Sequence, residues 1–144
     1  MSILDWSIII FVLMESANVI ILYFFPDFKY GNGIAVFNQW SKTQKDPSAR
    51  LFASYLVNWV AGTKLIFIVL LLVILFTGGE FTKQLAVAAM ILSISTYFWR
   101  LHAIIKKLDE MGEITPKGYS KGLDMMIAGF MGMFTLAFII SFFV

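Results

Sequence analysis

Four apolar runs, about 3–25, 51–76, 83–105 and 122–143, occupy most of this 144-residue chain. Each is near the ~20 residues that a helix with a 1.5 Å rise needs to cross a ~30 Å hydrocarbon layer. A soluble domain is about a quarter charged, whereas this chain is 14% charged, 60% hydrophobic and 17% aromatic. Because lipid offers the backbone no hydrogen-bonding partner, runs of this length satisfy their peptide groups as helices. The sequence therefore predicts an all-α, polytopic membrane protein: one domain, with four transmembrane helices in an antiparallel bundle and the bilayer as its first partner.

Punctuation along the chain supports these spans. Ser2 and Asp5 form a capping-box variant at the start of the first, and Pro26 ends it. This run is read as a retained helix, since no Lys or Arg precedes it and no small-residue cleavage pattern follows. In the stretch after it, Gly31-Asn32-Gly33 reads as a turn. Ile34, Phe37 and Trp40 then recur at helical spacing, which suggests a short interfacial segment over 33–44 with Trp40 as a headgroup-level anchor. Asp46-Pro47 reads as N-cap and first residue of the second helix. The connector at Thr77-Gly78-Gly79 is short enough to make the second and third helices antiparallel neighbours. The third helix is expected to run without interruption to Met111, with Gly112 as its stop. Thr115-Pro116 and Ser120 offer alternative starts for the fourth.

Lys29, Lys42, Lys45, Arg50, Arg100, Lys106, Lys107, Lys117 and Lys121 fall in or beside the two long connections, against Lys83 alone on the opposite side. The positive-inside rule then places the long loops in the cytoplasm and both termini outside, in a plasma (inner) membrane.

Polar residues inside the spans are the candidate functional residues, because each must find a partner or water. Counted from Phe25 and Leu51, Glu15 lies ~15 Å deep, Lys64 ~20 Å, and Asn18 and Asn58 each ~10 Å. This suggests two rungs between the first and second helices, amide facing amide and carboxylate facing ammonium. Asn58 and Lys64 stand ~120° apart around their helix, with Ala61 midway, so both cannot point at the bundle axis. On the third helix Ser93, Thr96, Tyr97 and Arg100 recur at i, i+3, i+4 and i+7 as a polar stripe. On the fourth, Asp124, Ala128, Gly132 and Thr135 share a face, with Asp124 within reach of Arg100. Trp99, Arg100 and His102 suit a headgroup-level anchor. Together these positions describe a polar column that widens toward the loops. Structural ion pairing and interhelical hydrogen bonding are the competing account of it.

The first span, with Glu15, Ala17 and Asn18 in an apolar run, is similar over about one span to the small multidrug resistance transporters. That resemblance implies a proton- and cation-binding carboxylate at Glu15. It ends there, because the long connection from Pro26 to Arg50 and the presence of Lys64 depart from that family's pattern.

Several classes are disfavoured. The chain has no cysteine and one histidine, His102, so thiolate sites are excluded and a zinc site would rest on carboxylates. Nucleotide, zinc-protease, nucleophile-elbow and calcium-loop motifs are absent, and no basic patch combines with an aromatic reading surface. The sequence thus points to no cofactor, no metal, no catalytic residue and no nucleic-acid partner. The leading expectation is a channel- or transporter-type homo-oligomer, with the pathway between subunits and Glu15 and Lys64 as its solute, ion or proton site. The alternatives are an accessory subunit holding another membrane protein or lipid, for which Met125, Met126, Met131 and Met133 offer adaptable contacts, and a membrane enzyme acting on a lipid through Arg100 and His102.

Overall fold

The computed structural model describes residues 1–143, in which four helical segments are long and apolar enough to cross a membrane. They comprise α1 (Ile3–Phe24), α3 (Pro47–Thr77), α4 (Glu80–Ser95) continuing through a single 3-10 turn into α5 (Leu101–Glu110), and α6 (Tyr119–Ile140). A short helix α2 (Asn38–Lys42), bracketed by 3-10 turns at Ile34–Val36 and Thr43–Lys45, fills the first long connection. The chain is an integral membrane protein of four antiparallel spans, with α1 packed against α3, α4 and α6.

The helix ends follow the sequence signals. Ser2 and Asp5 make the reciprocal capping box, at 2.8 and 3.4 Å. The Asp46 carboxylate accepts from the Ser48 and Ala49 N–H groups, with Pro47 at the first helical position. Gly112 ends α5 with φ +72°, a left-handed conformation open to glycine at no steric cost.

The contact between α1 and α3 is a heptad seam. On α1 the inward positions are Leu4, Ile8, Phe11, Glu15, Asn18 and Leu22, and on α3 they are Val57, Ala61, Lys64, Ile68 and Leu71. Alternating steps of three and four keep one stripe facing the partner helix. Leu22 packs with Val57 and Ala61, Glu15 meets Lys64, and the Phe11 ring meets Phe67 edge-on at 5.8 Å. Phe11 also reaches Phe130 and Phe134, at 5.0 and 5.3 Å, which ties α6 into the same core. Toward the termini the bundle closes with an Asp5–Lys83 ion pair at 2.5 Å and a Gln84–Ser141 hydrogen bond at 3.1 Å.

Both long connections lie on the opposite side and are joined. Phe37 and Ile114 form an isolated antiparallel bridge. The Asn38 N–H donates to Glu113 O at 2.9 Å, the Thr115 N–H to Val36 O at 2.8 Å, and Lys42 pairs with Glu113 at 2.9 Å.

Two expectations are corrected here. The third span is not one uninterrupted helix. The Ser95 and Thr96 hydroxyls donate back to the Leu92 and Ser93 carbonyls at 2.7 and 2.6 Å, the ladder tightens to 3-10 at Thr96–Phe98, and α5 restarts at Leu101. Trp40 does not anchor at the lipid surface. It is 5% exposed, donates from Nε1 to Asp27 at 2.6 Å and carries the Arg50 guanidinium 3.8 Å above its ring.

Candidate functional site

At the middle of the α1–α3 seam, Lys64 Nζ donates to Glu15 Oε2 at 2.6 Å and to Asn18 Oδ1 at 2.8 Å. Glu15 and Asn18, three residues apart on a helix, present both acceptors to one ammonium. Their side chains are mostly enclosed, Lys64 being 23% and Glu15 16% exposed, so a charge left alone here would lack bulk water. Asn18 is itself oriented: its Nδ2 donates to the backbone carbonyl of Asn32 at 2.8 Å, which commits Oδ1 to the ammonium.

That carbonyl comes from the turn after α1. The chain leaves the helix at Phe25, folds back through Pro26–Gly33 and returns to the level of Asn18, ~9 Å inside the end of α1. Irregular backbone at such depth is tolerated where protein or a cavity covers it. Gly31 takes φ +66°, and a Cβ on Gly33 would stand 3.0 Å from Phe28 O, so the turn needs both glycines. Tyr119, at the start of α6, holds the turn from outside, its single O–H shared between Gly31 O at 3.2 Å and Asn32 Oδ1 at 3.3 Å.

Open clefts flank the pair. One of about 190 Å³ reaches Lys64, Asn18 and Asn32. Another of about 150 Å³ lies on the Glu15 side, against Met14, Met126 and Phe130. A third, about 350 Å³, is lined by Lys117, Tyr119 and Gly122 on the loop side and shares Gly31, Asn32 and Met126 with the second. Asn32 lines all three.

The rest of the expected column is not brought to this point. Asn58 is exposed on the outer face of α3. It stands one residue off the seam position Val57, and the pairing of Leu22 with Val57 and Ala61 sets it a turn away from Asn18. Counting both helices from their loop-side ends misjudged the register, because α3 extends beyond α1 on that side. Ser93, Thr96 and Arg100 are also exposed, and among that stripe only Tyr97 is buried. Arg100 does not pair with Asp124: its guanidinium lies 5.5 Å from the exposed Trp99 ring. Asp124 instead accepts from the Tyr97 hydroxyl at 2.7 Å and sits 2.9 Å from His102 Nδ1. Ala128, Gly132 and Thr135 face outward rather than toward the bundle.

Two polar sites were missed from the sequence. Asp5 with Lys83 is one, signalled only by an acid in the first turn of α1 and a base in the first turns of α4. Asp109 is the other. It is 7% exposed and accepts from the Gly118 N–H, the Ser120 N–H and the Ser120 hydroxyl at 2.9, 2.9 and 2.7 Å, so α5 supplies the cap for the start of α6. Among the described residues no cluster of His, Asp and Glu has the geometry of a metal site.

No family profile, curated protein or solved structure matches this chain.

Proposed function

We propose that the protein moves a small solute or ion across the membrane, with the Glu15–Lys64 pair as the site where the passenger, a proton or both are held. The observation that carries this reading is an ion pair with a 2.6 Å contact in the middle of a seam between two spans, with an open cleft on each side. Space beside fixed charges is what a bound passenger requires. Asn18 and the returning turn at Asn32 keep the ammonium and carboxylate in place, and the 350 Å³ cavity behind Tyr119 is the approach from the loop side. Neutralising Glu15 would release Lys64, so a proton is the natural trigger for exchange.

The accessory-subunit and lipid-enzyme alternatives have less support. Arg100 and His102 do not converge, one lying over Trp99 and the other beside Asp124.

The test is flux through purified protein in proteoliposomes loaded with a pH-sensitive dye, after a pH step and with panels of small anions, cations and neutral solutes outside. Glu15→Gln and Lys64→Met are each expected to abolish flux, and the double change to fold without activity. Wild-type flux in either single variant would remove the proposal.

A further inference from the structure

The two sides of the pair are unlike. Lys64 faces the larger flanking cavity, about 190 Å³, whose polar lining is Lys64, Asn18 and Asn32 and whose remaining walls include Leu22, Ile34 and Val57. No acid lines it. Pockets for drug-sized ligands start near ~300 Å³, so this one suits a head group with a short apolar tail. An ammonium has three N–H donors, and Glu15 and Asn18 take two of those of Lys64. The third has no acceptor among the described residues. A cationic donor with one N–H free beside a mostly apolar pocket specifies an anion.

We infer that Lys64 binds a small monocarboxylate with a short apolar tail in this cavity, and that each anion arrives with one proton, which Glu15 takes up. The inference rests on the transport reading, and it names the passenger. Its basis is electroneutrality. Glu15 and Lys64 together carry no net charge, and an added anion would leave a net negative charge in a poorly solvated bundle. Protonation restores balance: a hydronium ion or protonated buffer in the bulk solution gives up its proton, which forms an O–H bond on Glu15; the ion pair with Lys64 breaks, and the incoming carboxylate takes its place on the ammonium. Lys64 is the donor in both of its hydrogen bonds and Glu15 the acceptor, so Glu15 is the group at hand to take the proton. The elements around Glu15 offer little else that titrates. From α3 comes Lys64, from α6 Met126 and Phe130, and from α4 the apolar Val87, Met90 and Ile94, while Tyr119 reaches only Asn32 and Gly31. Asp5 and Lys83 lie ~15 Å further along α1. A cation would have to enter the smaller, Met- and Phe-walled side and displace an ammonium that Asn18 is oriented to hold.

Calorimetric titration of the purified protein with butyrate, in two buffers of different ionisation enthalpy, counts protons directly. One proton taken up per butyrate, and no binding of butylamine, is the expected result. Glu15→Gln mimics the protonated state, so it should bind butyrate with no proton uptake and at least about tenfold more tightly, every molecule now being competent. Butyrate binding without proton uptake, butylamine binding, or no butyrate binding by either protein would overturn the inference. Should Glu15→Gln fail to fold, the proton count on the wild type decides alone. Proton-linked binding without flux would sink the transport reading and leave this site standing; flux of other solutes without butyrate binding would do the reverse.

Discussion

A double-mutant cycle on Glu15 and Lys64 separates a coupled pair from two independent polar residues. Replacing Lys64 with Met leaves the Glu15 carboxylate unpaired and removes the donor from Asn18 Oδ1, which Asn32 holds in place. Replacing Glu15 with Gln leaves an ammonium facing a neutral amide. Breaking a buried pair costs about 3–5 kcal/mol, and with the two side chains 23% and 16% exposed the lower end applies, about 3 kcal/mol for each single change. Lys64→Met should be the worse by about 1 kcal/mol, the added cost of a stranded amide acceptor. The double change removes both charges, fills the seam with side chains of similar length and gives Asn18 a new amide donor. It should therefore lie within about 1 kcal/mol of the wild type, for a coupling energy of about 6 kcal/mol. Equilibrium unfolding by steric trapping in bicelles measures all four proteins in a lipid-like setting. Single variants each within about 1 kcal/mol of the wild type, or losses that simply add in the double, would refute the reasoning.

The other expectations concern residues away from the pair. Asp109→Ala removes three hydrogen bonds that cap α6 from α5, and should cost about 2–3 kcal/mol and speed amide exchange in the first turn of α6, read by hydrogen exchange; unchanged protection there would contradict the cap. Asn58→Leu, on the outer face of α3, should leave both stability and any measured flux within about 0.5 kcal/mol of the wild type, and loss of flux would mean that Asn58 belongs to the working site after all.

The architecture was legible because lipid imposes length: four apolar runs and their caps at Ser2, Asp46 and Gly112 gave the spans within a few residues. Which face of each helix turns inward was far less legible. In water the apolar stripe marks the buried side, but in a bilayer the outer face is apolar as well, so Leu13 and Leu4 look alike although one is exposed and the other fully buried. Only polar residues break the symmetry. Glu15 and Lys64 were expected to face one another and do, whereas Asn18, expected opposite Asn58, joins Lys64 because Asn58 lies off the heptad seam, and the 120° between Asn58 and Lys64 was the warning. The stripe on the third span failed for a different reason. Its i, i+3, i+4 spacing presumes an unbroken α-helix, and the hydroxyls of Ser95 and Thr96 end that helix before Tyr97 is reached. The capping of α6 by Asp109 is a contact between separate helices, and no local pattern announces it.

Two smooth greasy helices embrace almost equally well after sliding past one another by seven residues, since every side chain meets a similar neighbour. The α1–α3 contact has no such freedom: the same slide would carry Glu15 ~10 Å from Lys64 and strand both in hydrocarbon. Whatever passes through this bundle, its two most costly side chains therefore also act as a key, admitting one alignment of the first two helices and rejecting the neighbouring ones as the chain assembles.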